Sequence, residues 1–340
     1  MSDELARRFL PVVIGARVGD AMGAPTEGMT AEEIDRGFGW VSEFTGDGTD
    51  DSLMATLLAE ALLASDGHAG ADGWAAQWVA QRDRIDAIRD RFFISVLHTF
   101  EKLLDGLPPS RVAAGNMPSS SSAMCIWPVG LVHAGDPHAA AEHAYSVASL
   151  IHVGEVDFCQ DAAAAVAAAV ARGMRPGTTA LEACREALAT LRPTSGAPMR
   201  DLIHAAVTLA GDVAGYDEFR TRYHAEFRQR VACDSRETVP AALGLAVLAD
   251  GRLPEAVEYA ANFGRDTDTI ASMTGALCGA VGGTDALPEA WTASMEAVAL
   301  TSAETLASRL AVLAREMAVD GIRRARSVPG LLPDDDGLGG

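Results

Sequence analysis

Two clusters of acidic and hydroxyl residues stand far apart in the chain: Gly-Asp-Gly-Thr-Asp-Asp-Ser at 46–52 and Gly-Arg-Asp-Thr-Asp-Thr at 264–269. Thr49, Asp50 and Asp51 are compact oxygen donors, as are Asp266, Asp268 and Thr269. Hard divalent cations such as Mg²⁺ take ligands of this kind, and two such clusters meeting in a fold could hold more than one ion. Packed carboxylates repel one another, and a cation between them relieves that repulsion. A lone aspartate ahead of a helix is ordinarily a cap. Two matched clusters, each pairing carboxylates with a threonine and each followed by an apolar segment, favour the metal reading over the cap.

The elements that must position these residues read as helices. After Asp51, Leu53, Met54, Leu57, Leu58, Ala61 and Leu62 recur at spacings of three and four, and carboxylates in the first turn suit the positive end of the helix dipole. Further helices are expected over 73–91, 92–104, 137–148, 159–172, 179–191, 199–210, 217–230, 238–248, 254–261, 270–281 and 303–324. Residues 114–123, with glycine, proline and a serine run, read as a loop. Gly275 and Gly279 leave a smooth face where another helix can approach closely. With no linker and no fixed-period repeat, the expectation is an all-α fold. It comprises a single compact multi-helix domain over 1–326, folded back to join its two acidic clusters in one cleft, and a flexible acidic tail at 327–340.

Composition bounds the function. The net charge is −20, and no basic patch is visible to neutralise phosphates, so a nucleic-acid partner is not expected. The five cysteines are scattered, with no Cys-x-x-Cys, which indicates neither a disulfide framework nor a zinc knuckle. The N-terminus lacks the apolar run of a signal peptide, and no stretch reaches the ~18 apolar residues of a membrane span. A cytoplasmic, soluble protein without a membrane partner is expected, and a monomer is its expected state.

Several motifs together resemble the ADP-ribosylglycohydrolase family, over roughly residues 9–283. They are Gly-Ala-Arg-Val-Gly-Asp-Ala-Met-Gly-Ala-Pro-Thr-Glu at 15–27, Gly-Thr-Asp-Asp-Ser-Leu-Met at 48–54, Ala-Met-Cys-Ile-Trp-Pro-Val-Gly at 123–130, the His152 segment and Asn-Phe-Gly-Arg-Asp-Thr-Asp-Thr-Ile-Ala at 262–271. The resemblance implies an all-α fold with a binuclear centre of two Mg²⁺, or Mn²⁺, at the bottom of a cleft. Thr49, Asp50 and Asp51 match the first ligand group, and Asp266, Asp268 and Thr269 the second. Glu27 matches an acidic residue beside the metals, and Glu27, Asp50 and Asp268 are the catalytic candidates. The implied reaction cleaves the bond at the anomeric carbon of a ribose, with an ADP-ribosylated protein as substrate. Glycoside cleavage through an oxocarbenium-like state is chemistry that nearby carboxylates support.

The chain departs from its relatives where they carry Asn-Gly before the Ala-Met pair and arginine after it. Here Ser120-Ser121 and Cys125 stand in those places, and cysteine cannot replace a bidentate guanidinium. A small ribosyl metabolite, such as a nucleoside or nucleotide, is therefore the alternative substrate. A non-catalytic relative would show an eroded ligand set, and none of the six positions is eroded. Ser120, Ser121 and Ser122 are candidate contacts for phosphate or ribose oxygens. His152 is a candidate substrate-site residue, weighed against a packed core histidine. Arg265 is a candidate contact, weighed against a surface ion pair. Asp20 is expected in a structural role, Trp127 in the core, and Asp234 with Glu237 as a cap for the helix that follows.

Overall fold

The first helix is one that local propensity argues against. Glu4–Gly23 carries Pro11 in its interior and glycines at 15, 19 and 23, residues that weaken an isolated helix. Tertiary packing overrides that cost: from Phe9 onward nearly every residue is buried, and the helix lies antiparallel along Thr267–Gly282 in the most extensive helix–helix contact of the molecule. The partners run in register, Pro11 by Gly279, Gly15 by Gly275, Gly19 by Ala271 and Gly23 by Asp268. A Cβ at Gly19 would lie 2.2 Å from the Ala271 carbonyl oxygen, and one at Gly275 would lie 2.1 Å from that of Gly15. The smooth face of Gly275 and Gly279 thus meets a second smooth face, which the sequence reading left without a helix.

In the computed structural model, which describes residues 3–46, 48–329 and 331, eighteen α-helices and no strand occur among the described residues. One hydrophobic core runs through them. At its centre Phe158–Gly173 is almost wholly buried, as its unbroken alanine and valine run at 162–171 requires, and it packs against Trp127–Val132, Pro137–Ala148, Ala180–Thr190 and Thr267–Gly282. Small side chains let these helices approach closely.

Most expected helices are present, and besides the first helix the short helices Pro109–Val112, Trp127–Val132 and Glu289–Ser294 were not expected. The stretch expected as one helix over 73–91 is broken into Ala71–Ala80, Arg82–Ala87 and a 3₁₀ turn at Arg89–Arg91. Ala31–Gly37 is an additional helix, opened by a capping box between Thr30 and Glu33. The last helix is longer than expected, Ala297–Arg326. It is long and apolar enough to cross a membrane, but one face, including Leu306, Leu310 and Leu313, is buried in the core. Of the expected tail, 327–329 and 331 follow this helix, and residues 330 and 332–340 lie outside the described residues.

The glycine seam has a measurable consequence. Gly275→Ala is expected to lower stability by about 1–3 kcal/mol, because backbone rather than a mobile side chain opposes the new methyl. Gly321→Ala, in a helix with nothing within 4 Å of the new atom, is expected to be neutral or to stabilise by up to about 1 kcal/mol. Urea unfolding midpoints of the two variants check the contrast.

Candidate metal centre

Both acidic clusters open helices, and the seam delivers them to one place. Asp50 and Asp51 occupy the first turn of Asp50–Ala64, and Asp266 and Asp268 flank the start of Thr267–Gly282. The first helix runs out at Gly23 beside Asp268, and a 3₁₀ turn at Ala24–Thr26 then carries the chain to Glu27. This corner is pinned by the Thr267 hydroxyl donating to the Gly23 carbonyl at 2.9 Å. It is also pinned by paired backbone bonds in which the Gly28 amide donates to Arg265 and the Arg265 amide to Met29, each at 2.6 Å.

Asp20, wholly buried on the first helix, organises the first cluster. Its carboxylate accepts from the Thr49 amide and hydroxyl, both at 2.8 Å, and from the Ser52 amide and hydroxyl at 3.0 and 2.5 Å. It caps the helix Asp50–Ala64 from outside the segment, so the structural role expected of it has a specific form. Thr49 itself makes no side-chain cap. Its hydroxyl donates to Asp20, and Thr49 is not itself among the residues that line the cleft.

The resulting cleft, about 200 Å³, is lined by Glu27, Asp50, Asp51, Asp266, Asp268 and Thr269, with Ser120 and Ser121. Glu27, Asp266 and Asp268 each place a carboxylate oxygen within 4.8 Å of the other two. The clusters touch where the Thr269 hydroxyl faces Asp51 Oδ2 at 3.4 Å. Asp51 Oδ1 is buried with no hydrogen-bond partner among the described residues. Burial pushes the Asp50, Asp51 and Asp268 carboxyls well above their ordinary range, and the charges of Asp20 and of one another push them further. Asp266 is raised to about 7 by burial and by Glu27. An orphaned carboxylate oxygen among crowded oxygen donors, with no competing soft ligand in the acid group, fits a hard divalent cation. A larger cavity of about 1160 Å³, beside the last helix and lined by His68, His133 and His143, shares no residue with this cleft and holds none of the paired aspartates.

The remaining candidates separate into those that face the cleft and those that do not. Ser120 and Ser121 line it, and the Ser120 hydroxyl donates to Asp266 Oδ2 at 3.1 Å. Ser122 and His152 lie behind it. The His152 ring is fully buried between the Ser119 hydroxyl, 3.0 Å from Nε2, and the Ser122 hydroxyl, 2.9 Å from Nδ1, and burial lowers its pKa to about 3. The substrate contact expected of His152 and Ser122 is therefore corrected: a neutral imidazole braces the serine loop. That loop, Ser119 to Ser122, is buried throughout and tied down by the Ser120 amide donating to Cys233 and the Ser235 hydroxyl to Ser119.

Arg265 is also corrected. It does not line the cleft, and its ion pair is not on the surface. At φ 71°, its guanidinium points away to a bidentate pair with the buried Glu237, at 2.5 and 2.9 Å, and to the Gln229 carbonyl at 2.7 Å. Glu237 is thus the partner of Arg265, and Asp234 alone caps the helix Ser235–Leu248. Trp127 is in the core as expected. Missed from the sequence were Arg91, Phe92, Phe93, Met124 and Cys233, which complete the lining. Arg91 to Phe93 had read only as the junction of two helices, and nothing in their local pattern marked them.

An all-α fold whose two ends converge on an oxygen-rich cleft defines the class of protein. Residues 1–320 match the ADP-ribosylglycohydrolase family, and the chain belongs to that family. It is 27% identical over 321 residues to the uncharacterized protein YegU of Escherichia coli K12, covering 86% of this chain and 92% of that one. An uncharacterized protein of Archaeoglobus fulgidus is 25% identical over 296 residues, covering 84% and 91%. A solved structure of an ADP-ribosylglycohydrolase-related protein complex shares the fold, with a TM-score of 0.67 and 22% identity, covering 92% of this chain and 99% of that one.

The crowded carboxyls make stability depend on pH. With pKa values raised in the folded chain, the folded state binds more protons than the unfolded one between about pH 4 and 7, so stability falls as pH rises through that window. In EDTA, the melting temperature is expected to fall between about pH 5 and 8. Saturating Mg²⁺ is expected to raise it by more at the higher pH. Thermal unfolding followed by circular dichroism, with and without Mg²⁺, checks both.

Proposed function

We propose that the protein is a metal-dependent glycohydrolase that cleaves the bond at the anomeric carbon of a ribose, releasing ADP-ribose from an ADP-ribosylated acceptor. The observation that carries this is the convergence of oxygen donors from both ends of the chain on one cleft, with Asp51 Oδ1 left unpartnered among the described residues. Asp50 and Asp51 with the hydroxyl of Thr49, and Asp266 and Asp268 with that of Thr269, would hold two Mg²⁺ or Mn²⁺ ions. Bound there, such ions would supply coordination of ribose hydroxyls and charge for activating water.

The chain's own groups do the rest. Asp50 and Asp268 present negative charge to the oxocarbenium-like carbon as the bond breaks. Glu27, exposed at the cleft, is raised in pKa by partial burial and opposed by Arg91, so it can take the proton of an attacking water. The Ser120 hydroxyl orients Asp266, and Asp20 fixes the first turn that carries Asp50 and Asp51.

A second reading, hydrolysis of a small nucleoside, nucleotide or other ribosyl metabolite, is favoured by the size of the cleft. Its volume of about 200 Å³ is below the roughly 300–1,000 Å³ that encloses a drug-sized ligand. Cys125, where relatives carry arginine, is buried, with its thiol donating to the Ser121 carbonyl.

Mass-spectrometric assay of ADP-ribosyl-arginine, ADP-ribosyl-serine peptide, nucleosides and nucleoside monophosphates, in Mg²⁺ and in EDTA, tests both. Mg²⁺-dependent cleavage is expected, abolished by Asp50→Ala or Asp268→Ala. Glu27→Gln is expected to lower kcat by roughly 10²–10⁴-fold. Undiminished activity in EDTA or in the aspartate variants would refute the proposal.

A further inference from the structure

We propose that Arg91 is a specificity residue whose guanidinium binds a phosphoryl group carried by the ribosyl unit in the cleft; this rests on the glycohydrolase reading of that cleft. Arg91 is the sole cation among the described lining residues, which otherwise offer five carboxylates, three hydroxyls, the Cys233 thiol and the apolar faces of Phe92, Phe93 and Met124. It sits close enough to Glu27 to oppose the rise in that carboxyl's pKa. Yet among the described residues its side chain makes no hydrogen bond and no ion pair.

The contrast within its own segment is informative. Arg82 pairs with Asp83, Arg84 with Glu60, and Arg89 with Asp86 and Glu101. Arg91, fourth arginine of the same run and next to Asp90, pairs with neither Asp90 nor any cleft carboxylate. Its main chain is nonetheless fixed. The Arg91 amide donates to Ile88 at 2.9 Å, and Phe92, next in sequence, is 6% exposed. A held backbone with an uncommitted guanidinium at an acidic cleft is suited to an anion, to which a guanidinium gives two parallel hydrogen bonds.

The rest of the wall says what kind of ligand carries that anion. Carboxylates, and any cation they hold, suit the hydroxyls of a sugar, and the carboxylates themselves repel a bare anion. Within this lining the guanidinium of Arg91 is the group suited to hold a phosphoryl group carried by that sugar. The cleft is too small to enclose a dinucleotide, so whatever extends beyond that phosphoryl group lies outside it. Both a phosphate monoester on ribose and the diphosphate of ADP-ribose present this chemistry.

Isothermal titration of the full chain in Mg²⁺ with ribose, ribose 5-phosphate and ADP-ribose tests the assignment. Wild type is expected to bind at least one phosphorylated probe at least about tenfold more tightly than ribose. Arg91→Gln is expected to weaken that probe by roughly 10- to 100-fold while leaving ribose unchanged, and Arg91→Lys to restore part of the loss. Preference for ribose 5-phosphate identifies the monoester as the source, and preference for ADP-ribose identifies the diphosphate. Equal binding of ribose and both phosphorylated probes, or equal weakening of all three in Arg91→Gln, would overturn the assignment. So would tighter Mg²⁺ binding in Arg91→Gln with sugar selectivity unchanged, the signature of a residue that only offsets the carboxylates. Failure of hydrolysis with phosphate-selective binding intact would refute the reaction and leave Arg91 assigned.

Discussion

Two helix backbones touch where side chains would ordinarily keep helices 8–10 Å apart. Along Gly15, Gly19 and Gly23 on one side, and Gly275 and Gly279 on the other, the distance left for a Cβ is 2.1 to 2.5 Å from the facing backbone. Every later feature of the site depends on this approach. It sets the end of the first helix against the start of Thr267–Gly282, so that Glu27, Asp266 and Asp268 share one corner. It also places Asp20 one turn back from that corner, where the carboxylate can hold the first turn of Asp50–Ala64.

The same approach concentrates charge of one sign. Asp20 is compensated by four donors from Thr49 and Ser52, and Asp266 by Ser120. Asp51 Oδ1 has no hydrogen-bond partner among the described residues. Buried carboxylates in this condition either stay protonated or recruit a cation, and the raised pKa values express the first alternative in the absence of the second. The surroundings are built to resist rearrangement. Serines 119–122 are braced by His152, and the Asp266 loop is held by the buried Arg265–Glu237 pair. A site that cannot relax away from its own repulsion keeps its ligands in place.

The acid clusters and the helices beginning at Asp50 and near Asp266 were legible because the chemistry is local: donor types, spacing and an apolar period all lie within a few residues. The first helix was not legible, since Pro11 and three glycines argue against it and only the facing helix, some 250 residues away, supplies the reason for them. His152 and Arg265 were legible as unusual residues but not in direction. A histidine in an apolar stretch and an arginine beside an aspartate can each turn toward a ligand or away from it. Partners at Ser119, Ser122 and Glu237, all distant in sequence, decided the direction. Arg91 to Phe93 carried no local signal, because they lie at the junction of two expected helices and only the fold brings that junction to the cleft.

We propose that the glycine seam brings a cation site together from opposite ends of the chain. A crystal structure of the Mn²⁺-soaked protein, with anomalous scattering recorded near the manganese edge, tests it most directly. The account predicts anomalous peaks in the cleft, coordinated on one side by Asp50 and Asp51 and on the other by Asp266 and Asp268, with Asp51 Oδ1 among the ligands. An empty cleft at saturating Mn²⁺, or peaks confined to other acidic residues, would contradict it.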